Sequence, residues 1–389
     1  MRVVRLHAVR TPSKVLLPAS VQRAAPVFFV VLHGFLAHSG AMNSFVVMLR
    51  NELDARNRAI LENNDTMSHV TPFHITTLDA RNHGLSPHTP THVLGSLVED
   101  VRSYLLHQLP QTVKEVVEYM DAGHRHEHDV ETAGRDGAMA SSKVRVIAIG
   151  HSMGSMTWAQ YLMNQHQKQS SSANQKSEAA TSAVQSPPDV QGFVSIDMPP
   201  ITQSHIAASL VDELVDIIES MKRVEMHRIS DLRSAHAEFF RCGMHDIRIR
   251  GLCTTNLALA PGPSNPARQV ARWKCNVPVL ERSIRTGELF FTDAYFKDPL
   301  PTEGTAAAAQ ERRRNEILTC PSVGSVPVLS ILGGASPIGG DAKYGNVWER
   351  YALDLEQHTI PGAAHTVYYD KPRETISLVM SFLKRIHVL

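Results

Sequence analysis

The sequence predicts an α/β protein: a mostly parallel, twisted sheet with helices on both faces. Three observations lead there. Short β-branched runs alternate with stretches of helical periodicity, the order that builds a parallel sheet covered by helices. The 389 residues are 43% hydrophobic, enough to bury a sizeable core. And the strand-like run Val144 to Ile149 passes through two glycines straight into a helix-like run from Met153.

At the N-terminus, Val3 to Val9 roughly alternates apolar and polar residues and then meets Pro12, a pattern that suits a β-hairpin leading into the first core strand. Met1 to Asn51 also holds several Arg and Lys residues but no Asp or Glu, a feature of mitochondrial transit peptides, so cytoplasmic and mitochondrial locations both stay open. Val27 to Leu32 reads as a buried strand, followed by a Gly-containing turn and a helix from about Met42 to Arg56. His74 to Leu78 is the next strand and Leu94 to Leu109 an amphipathic helix. Val144 to Ile149 is a central strand, with a helix from Met153 to about Met163. Gly192 to Ile196, Val326 to Leu332 and Leu353 to Ile360 complete the strands. Pro372 to Ile386 is a closing helix with Pro near its start, where the missing N–H costs nothing.

The core is therefore expected to comprise residues 1–198 and 302–389. Two polar stretches within it, 121–142 with its His-Arg-His-Glu-His run and 164–188 rich in Gln, Ser, Ala and Lys, read as disordered insertions. Residues 199–301 carry an amphipathic pattern from Ile206 to Met221 and helical signals on to Phe240. They read as a helical lid inserted after the strand ending at Ile196.

A formal charge of +1, from 39 basic and 38 acidic residues, argues for no nucleic-acid or membrane-surface partner. No apolar run reaches the roughly 18 to 20 residues of a membrane span, so no stable membrane insertion is expected. The four cysteines (Cys242, Cys253, Cys275 and Cys320) form no CxxC pair and read as reduced core thiols. His124, His126 and His128 read as a solvated tract, so no metal site is expected.

The residues that carry chemistry centre on Gly150-His151-Ser152-Met153-Gly154, a GxSxG between a strand and a helix. The glycines have a steric reason: a sharp strand-to-helix turn strains the Ser and leaves no room for flanking side chains. Ser152 is thereby exposed at the carboxyl edge of the sheet as a nucleophile. His33-Gly34-Phe35, after the first strong strand, supplies one amide of an oxyanion hole in folds built on this motif, and the residue after the nucleophile supplies the other. The expected donors are the Phe35 and Met153 N–H groups, worth roughly 3 to 4 kcal/mol of barrier each. His365 follows the last strand and so returns to the same edge as general base. The acid is less sharply marked. Asp197 ends the strand at Ile196, whereas the loop after the next strand, Gly333-Gly334-Ala335-Ser336-Pro337, holds no carboxylate until Asp341. Asp197 ranks first, with a structural bond to a neighbouring loop as its other reading.

His33-Gly34, the block Asp79 to His88 (Asp-Ala-Arg-Asn-His-Gly-Leu-Ser-Pro-His), Gly150 to Gly154 and Ile196-Asp197-Met198-Pro199 occur together in the order of one group. The chain resembles the α/β-hydrolase superfamily, specifically the subfamily of α/β-hydrolase domain-containing protein eleven and related small bacterial esterases. Thr254-Thr255-Asn256-Leu257, Trp273-Lys274-Cys275-Asn276 and the Gly333 to Ser336 loop match as well, so the likeness covers about two-thirds of the chain. It implies the α/β-hydrolase fold with a helical lid inserted after strand six, the family's number for the strand ending at Ile196. It also implies an esterase or thioesterase without metal or organic cofactor, acting on small or medium acyl substrates. Asp197 is carried over as the acid, with Ser336 beside it. Leu36 and His151, next to the oxyanion donors, and Asn256 and Trp273, in the lid, are the expected substrate-binding residues. Ser155 and Ala364 replace glycines usual in the family and are expected to tighten the pocket. The Asp79 to His88 block is expected to be scaffold, with a rim contact as its other reading. Oligomeric state is not legible.

Two other functions stay open on the same scaffold. A peptidase of the prolyl-aminopeptidase type needs an acidic cluster, and Asp212, Glu213 and Asp216 are only scattered acids. A non-catalytic binding protein would commonly lack the Ser or the His, and this chain keeps both.

Overall fold

The computed structural model describes residues 2–18, 21, 23–63, 69–122, 144–174, 186–262, 269–292 and 321–389. Its strands are β1 (His7–Pro12), β2 (Val27–Leu32), β3 (Phe73–Asp79), β4 (Arg145–His151), β5 (Val190–Ile196), β6 (Leu257–Pro261), β7 (Gln269–Trp273), β8 (Val328–Gly333) and β9 (Leu355–Ile360). Seven of them make one sheet in the order β1-β3-β2-β4-β5-β8-β9. All pairings in it are parallel except β1 with β3. The strand that the family counts as its sixth is β5 in this chain order.

The expected N-terminal hairpin is not formed. β1 pairs antiparallel with β3, a strand some sixty residues away, and Pro12 sits opposite His74 at the sheet's edge, where a missing N–H is tolerated.

Alternate residues of the parallel strands face two layers. Val27, Phe29, Val31, Ile147, Ile149, Val194 and Ile331 meet α1 (Asn43–Glu62) through Phe45, Val46 and Leu49, and the closing helix (Pro372–Arg385) through Val379 and Phe382. Phe28, Val30, Leu32, Val146, Ala148 and Phe193 face the other layer, formed by α2 (Leu94–His107), α3 (Leu109–Ala122) and α4 (Met153–Asn174). Because both faces are covered, these strands are continuous apolar runs rather than alternating ones.

Two helices are longer or more numerous than expected. The helix after Ser152 runs to Asn174 instead of ending near Met163, so the start of the expected 164–188 insertion is helical. A separate helix, α3, reaches Ala122, with Pro110 in its first turn. The remainder of that insertion to residue 185, residues 123–142 with their histidines, Cys320 and residues 293–319 lie outside the described residues.

Between β5 and β8, the described residues 199–262 and 269–292 hold α5 (Ala208–Lys222), α6 (Leu232–Arg241), α7 (Ile247–Thr255) and α8 (Val277–Arg285). They also hold the antiparallel pair β6–β7, so this stretch is not wholly helical as expected. It is anchored to the core: Leu94 N–H donates to Glu288 O at 2.9 Å, and Asn276 N–H to Asn82 O at 2.9 Å. Cys242, Cys253 and Cys275 are buried free thiols, and burial pushes the last two up to about 12. Among the described residues, no helix is long and apolar enough to cross a membrane.

Candidate active site

Five of the six parallel strands deliver a candidate site residue at the carboxyl end, and the sixth, β3, carries the Asp79 to His88 block instead. In the sheet order, the loop of β2 carries His33 to Leu36, β4 leads to Ser152, β5 to Asp197, β8 to Ser336 and β9 to His365. His151 is in register with Ile196, and Ile196 with Ile331. Ser152 and Asp197 are therefore the next residues on one rung of the sheet, and Ser152 N–H donates to Ile196 O at 3.1 Å.

Ser152 has φ 51°, a left-handed conformation that costs an L residue of order 1 kcal/mol and persists only where surroundings impose it. The glycines impose it. A Cβ on Gly150 would lie 2.5 Å from Gly154 C, and one on Gly154 would lie 2.4 Å from Leu32 O. Gly34 brings the β2 loop against Ser152 in the same way: its Cβ would stand 3.2 Å from that of Ser152 and 2.6 Å from His151 Nδ1. Met153 opens α4, so its N–H is among the amides that a helix leaves without an internal partner.

Asp197 is fully buried, with φ 51°. Its Oδ2 lies 2.7 Å from His365 Nδ1 and also accepts the Ser336 hydroxyl, while Oδ1 accepts Gly333 N–H at 2.7 Å. A carboxylate can only accept, so Nδ1 of His365 carries the proton and Nε2 of the neutral ring keeps its lone pair. Asp341, the other acid considered, accepts instead from Lys343 N–H at 3.0 Å and pairs with the Lys343 ammonium. Ser336 in turn accepts Ile338 N–H at 3.1 Å.

The His365 loop crosses β8 closely, with Ala335 N–H donating to Ala363 O at 2.9 Å. Gly333 allows the crossing, since a Cβ there would lie 2.5 Å from Ala364 O. Asp370 accepts Ala364 N–H at 2.9 Å, and His151 Nε2–H donates to His365 O at 2.9 Å. Burial, with His365 beside it, pushes the His151 imidazole down to about 3. Its ring lies 4.9 Å from that of His365 and 5.0 Å from Tyr368.

The remaining expected contacts divide. Leu36 is buried at φ 56°, and its carbonyl accepts the Asn256 side-chain amide, so Asn256 ties residues 199–262 and 269–292 to the β2 loop. Trp273 stacks on Phe239 at 5.6 Å within that same segment. Ser155 is buried, and its hydroxyl donates to Gly150 O at 2.6 Å and accepts Ile196 N–H at 3.2 Å.

The Asp79 to His88 block is scaffold. Asp79 accepts Ser39 N–H at 2.7 Å and Leu85 N–H at 2.9 Å, and Asn82 and Gly84 take positive φ in a tight turn. Arg81 forms a buried two-pronged pair with Asp100 at 2.6 and 2.7 Å. Sequence reasoning missed a layer of buried imidazoles from this block and its surroundings: His33 meets His83 edge-on and His83 meets His92 at a tilt, with centroids 5.1 Å apart at each step. The His-Gly pairs at 33 and 83 were the available signal, but the first read as the loop of an oxyanion donor and the second as part of a tight turn. Among the described residues, no group of three or more His, Cys, Asp and Glu is arranged to hold a metal.

Comparison with known proteins gives a consistent picture. A family model described as the alpha/beta hydrolase family matches residues 29–378. The sn-1-specific diacylglycerol lipase ABHD11 of Mus musculus is 22% identical over 313 residues, which is 79% of this chain and 71% of that protein. Among solved structures, a marine microorganism esterase superposes with a TM-score of 0.56 at 16% identity, covering 98% of this chain and 100% of that one. E-2-(acetamidomethylene)succinate hydrolase does so with a TM-score of 0.51 at 15% identity, covering 97% and 100%. At these identities the structural likenesses speak for the fold.

Proposed function

As the chain belongs to the alpha/beta hydrolase family, we propose that it hydrolyses carboxylic ester or thioester bonds by an acyl-enzyme mechanism through Ser152, His365 and Asp197. The observation that carries this reading is the buried Asp197 carboxylate 2.7 Å from His365 Nδ1, at the sheet edge where Ser152 takes its strained turn.

In the first half-reaction, His365 Nε2 removes the Ser152 proton as Oγ attacks the acyl carbonyl. The tetrahedral oxyanion is held by the Phe35 and Met153 N–H groups, each worth about 3 kcal/mol of barrier. His365 passes the proton to the departing alcohol or thiol, then takes one from water as water attacks the acyl-enzyme, and returns it to Ser152 Oγ as the acyl–Oγ bond breaks and the carboxylic acid leaves. Asp197 holds the imidazole in the required tautomer and stabilises its cationic form. The Ser336 hydroxyl and Gly333 N–H occupy two further lone pairs of that carboxylate, one on each oxygen, and fix its plane.

The described residues 199–262 and 269–292 act as a lid in this reading, and their buried apolar side chains favour an apolar acyl group. The name of the mouse relative, a diacylglycerol lipase, points to acylglycerol esters as the first natural substrates to try. Asp212, Glu213 and Asp216 are exposed on α5 and make no acidic pocket for a free amino terminus, which counts against the peptidase alternative.

The test compares p-nitrophenyl butyrate with a prolyl-amide substrate, using wild type and Ser152→Ala. Turnover of the butyrate alone, abolished in the variant, is the expected result. Preferential cleavage of the amide would establish the peptidase instead, and no turnover of either by folded protein would favour a binding protein.

A further inference from the structure

We propose that His33 and His83 are positioning residues, two neutral imidazoles that clamp the peptide groups on either side of Phe35 and so aim the Phe35 N–H at the developing oxyanion. This role, which rests on the acyl-transfer reading above, assigns work to a histidine in the Asp79 to His88 block that would otherwise be scaffold alone.

The clamp is built from two adjoining peptides. In the first, Gly34 C=O and Phe35 N–H belong to one planar trans unit and point in opposite directions, so whatever holds the carbonyl aims the amide. Gly34 O accepts His33 Nδ1–H at 2.8 Å and Ala37 N–H at 3.2 Å. In the second, Leu36 N–H donates to His83 Nε2 at 3.2 Å. Leu36 is left-handed at φ 56°, a conformation costly for a side chain of its size, and the Asn256 amide holds its carbonyl from the opposite end. A mere connection between a strand and a helix has no need of such a residue.

Both imidazoles are anchored to the end of β3. His33 Nε2 accepts Ala80 N–H at 2.9 Å, and His83 Nδ1–H donates to Arg81 O at 3.0 Å. Each ring thus uses one nitrogen as donor and the other as acceptor, which only a neutral imidazole can do. The charged and titratable groups around the pair are His38, Asp79, Arg81, His92 and His151. Burial lowers the pKa of both rings, Asp79 opposing it at His33 and His92 adding to it at His83. The packing continues to the second donor: Phe35 lies 6.0 Å from both His83 and His92, and His92 Nε2 reaches Met153 Sδ at 3.4 Å.

Two variants test the clamp. His83→Phe keeps a ring of similar size but leaves Leu36 N–H without an acceptor, whereas His83→Gln places a carbonyl oxygen close to the former Nε2. Turnover of p-nitrophenyl butyrate is measured per site titrated with a fluorophosphonate, alongside inhibition by an alkyl trifluoromethyl ketone, whose adduct carries an oxyanion. For His83→Phe, kcat per titrated site should fall about 10- to 100-fold while KM moves by less than about 3-fold, because the donor acts on the transition state. The ketone should weaken by the same factor as kcat/KM, and His83→Gln should recover most of both. Fewer titrated sites with unchanged turnover and ketone affinity per site would overturn the clamp and leave His83 a merely structural residue. Wild-type protein that takes no label would overturn the acyl-transfer reading, and this role with it.

Discussion

Replacing Asp197 by Asn isolates the charge and acceptor geometry on which the site turns. The carboxylate accepts three hydrogen bonds: His365 Nδ1–H and the Ser336 hydroxyl on Oδ2, Gly333 N–H on Oδ1. An amide has one oxygen to offer. If that oxygen takes the Oδ1 position, the NH2 group faces His365 and demands a lone pair on Nδ1. The proton then moves to Nε2, the nitrogen that accepts from Ser152 in the proposed mechanism. If the oxygen takes the Oδ2 position, the NH2 group meets Gly333 N–H, two donors about 2.7 Å apart in a fully buried site. Such a buried mismatch costs about 1 to 3 kcal/mol of stability. The imidazolium also loses its counter-charge either way. A wrong tautomer of this kind lowers turnover by about 10³- to 10⁴-fold, or roughly 4 to 5.5 kcal/mol of barrier. The assay is steady-state hydrolysis of p-nitrophenyl butyrate, with circular dichroism to establish that the variant is folded. Folded Asp197→Asn that keeps activity within about tenfold of wild type would refute the reasoning.

Three further outcomes are expected. Ser336→Ala removes one hydrogen bond to an ionised group and should cost about 1.5 to 3 kcal/mol, read as a kcat decrease of roughly 10- to 150-fold, smaller than that of Asp197→Asn. Gly150→Ala drives a methyl to 2.5 Å from the backbone of Gly154 and Ser155, so the urea midpoint should drop by the equivalent of about 2 to 3 kcal/mol; a midpoint equal to wild type would show that the turn relaxes. Stability should also fall in mild acid. His92 and His151 are held at about 3 and His74 at about 4, below the value of about 6.5 in the unfolded chain. The unfolded chain therefore takes up protons that the folded one refuses. The stability these neutral rings contribute is fully present above about pH 6.5 and is lost as pH falls from there toward their folded values, by about 4 kcal/mol for the three together between about pH 7 and 5.5. Urea titrations across that range that show no loss would contradict the burial of neutral imidazoles.

The legible parts of the fold were those decided locally. Val27 to Leu32 and Val144 to Ile149 announce themselves because parallel strands covered on both faces are unbroken apolar runs. Elements that depend on distant partners were not legible. The N-terminal strand has the period of a hairpin arm, but its partner β3 lies far along the chain. The polar tail of α4 continues a helix past the point where apolar periodicity stops, and β6 and β7, at five residues each, are too short to stand out in a stretch with helical signals. In the site, Ser152 and His365 followed from where strands end. The position of Asp197 at the end of a strand ranked it ahead of Asp341, and the resemblance supported that ranking and added Ser336; that the Ser336 loop brings a hydroxyl rather than a carboxylate to Asp197 and His365 shows only in space. The imidazole layer was hidden for the same reason. Nothing in either His-Gly pair says that the two rings meet.

That Ser152 is the nucleophile is tested most directly by the mass of the protein after treatment with a fluorophosphonate. One adduct per chain is expected, mapped by peptide sequencing to the segment holding Gly150 to Gly154, absent from Ser152→Ala and strongly slowed in His365→Ala. An adduct on another residue, or equal labelling of wild type and Ser152→Ala, would contradict the assignment.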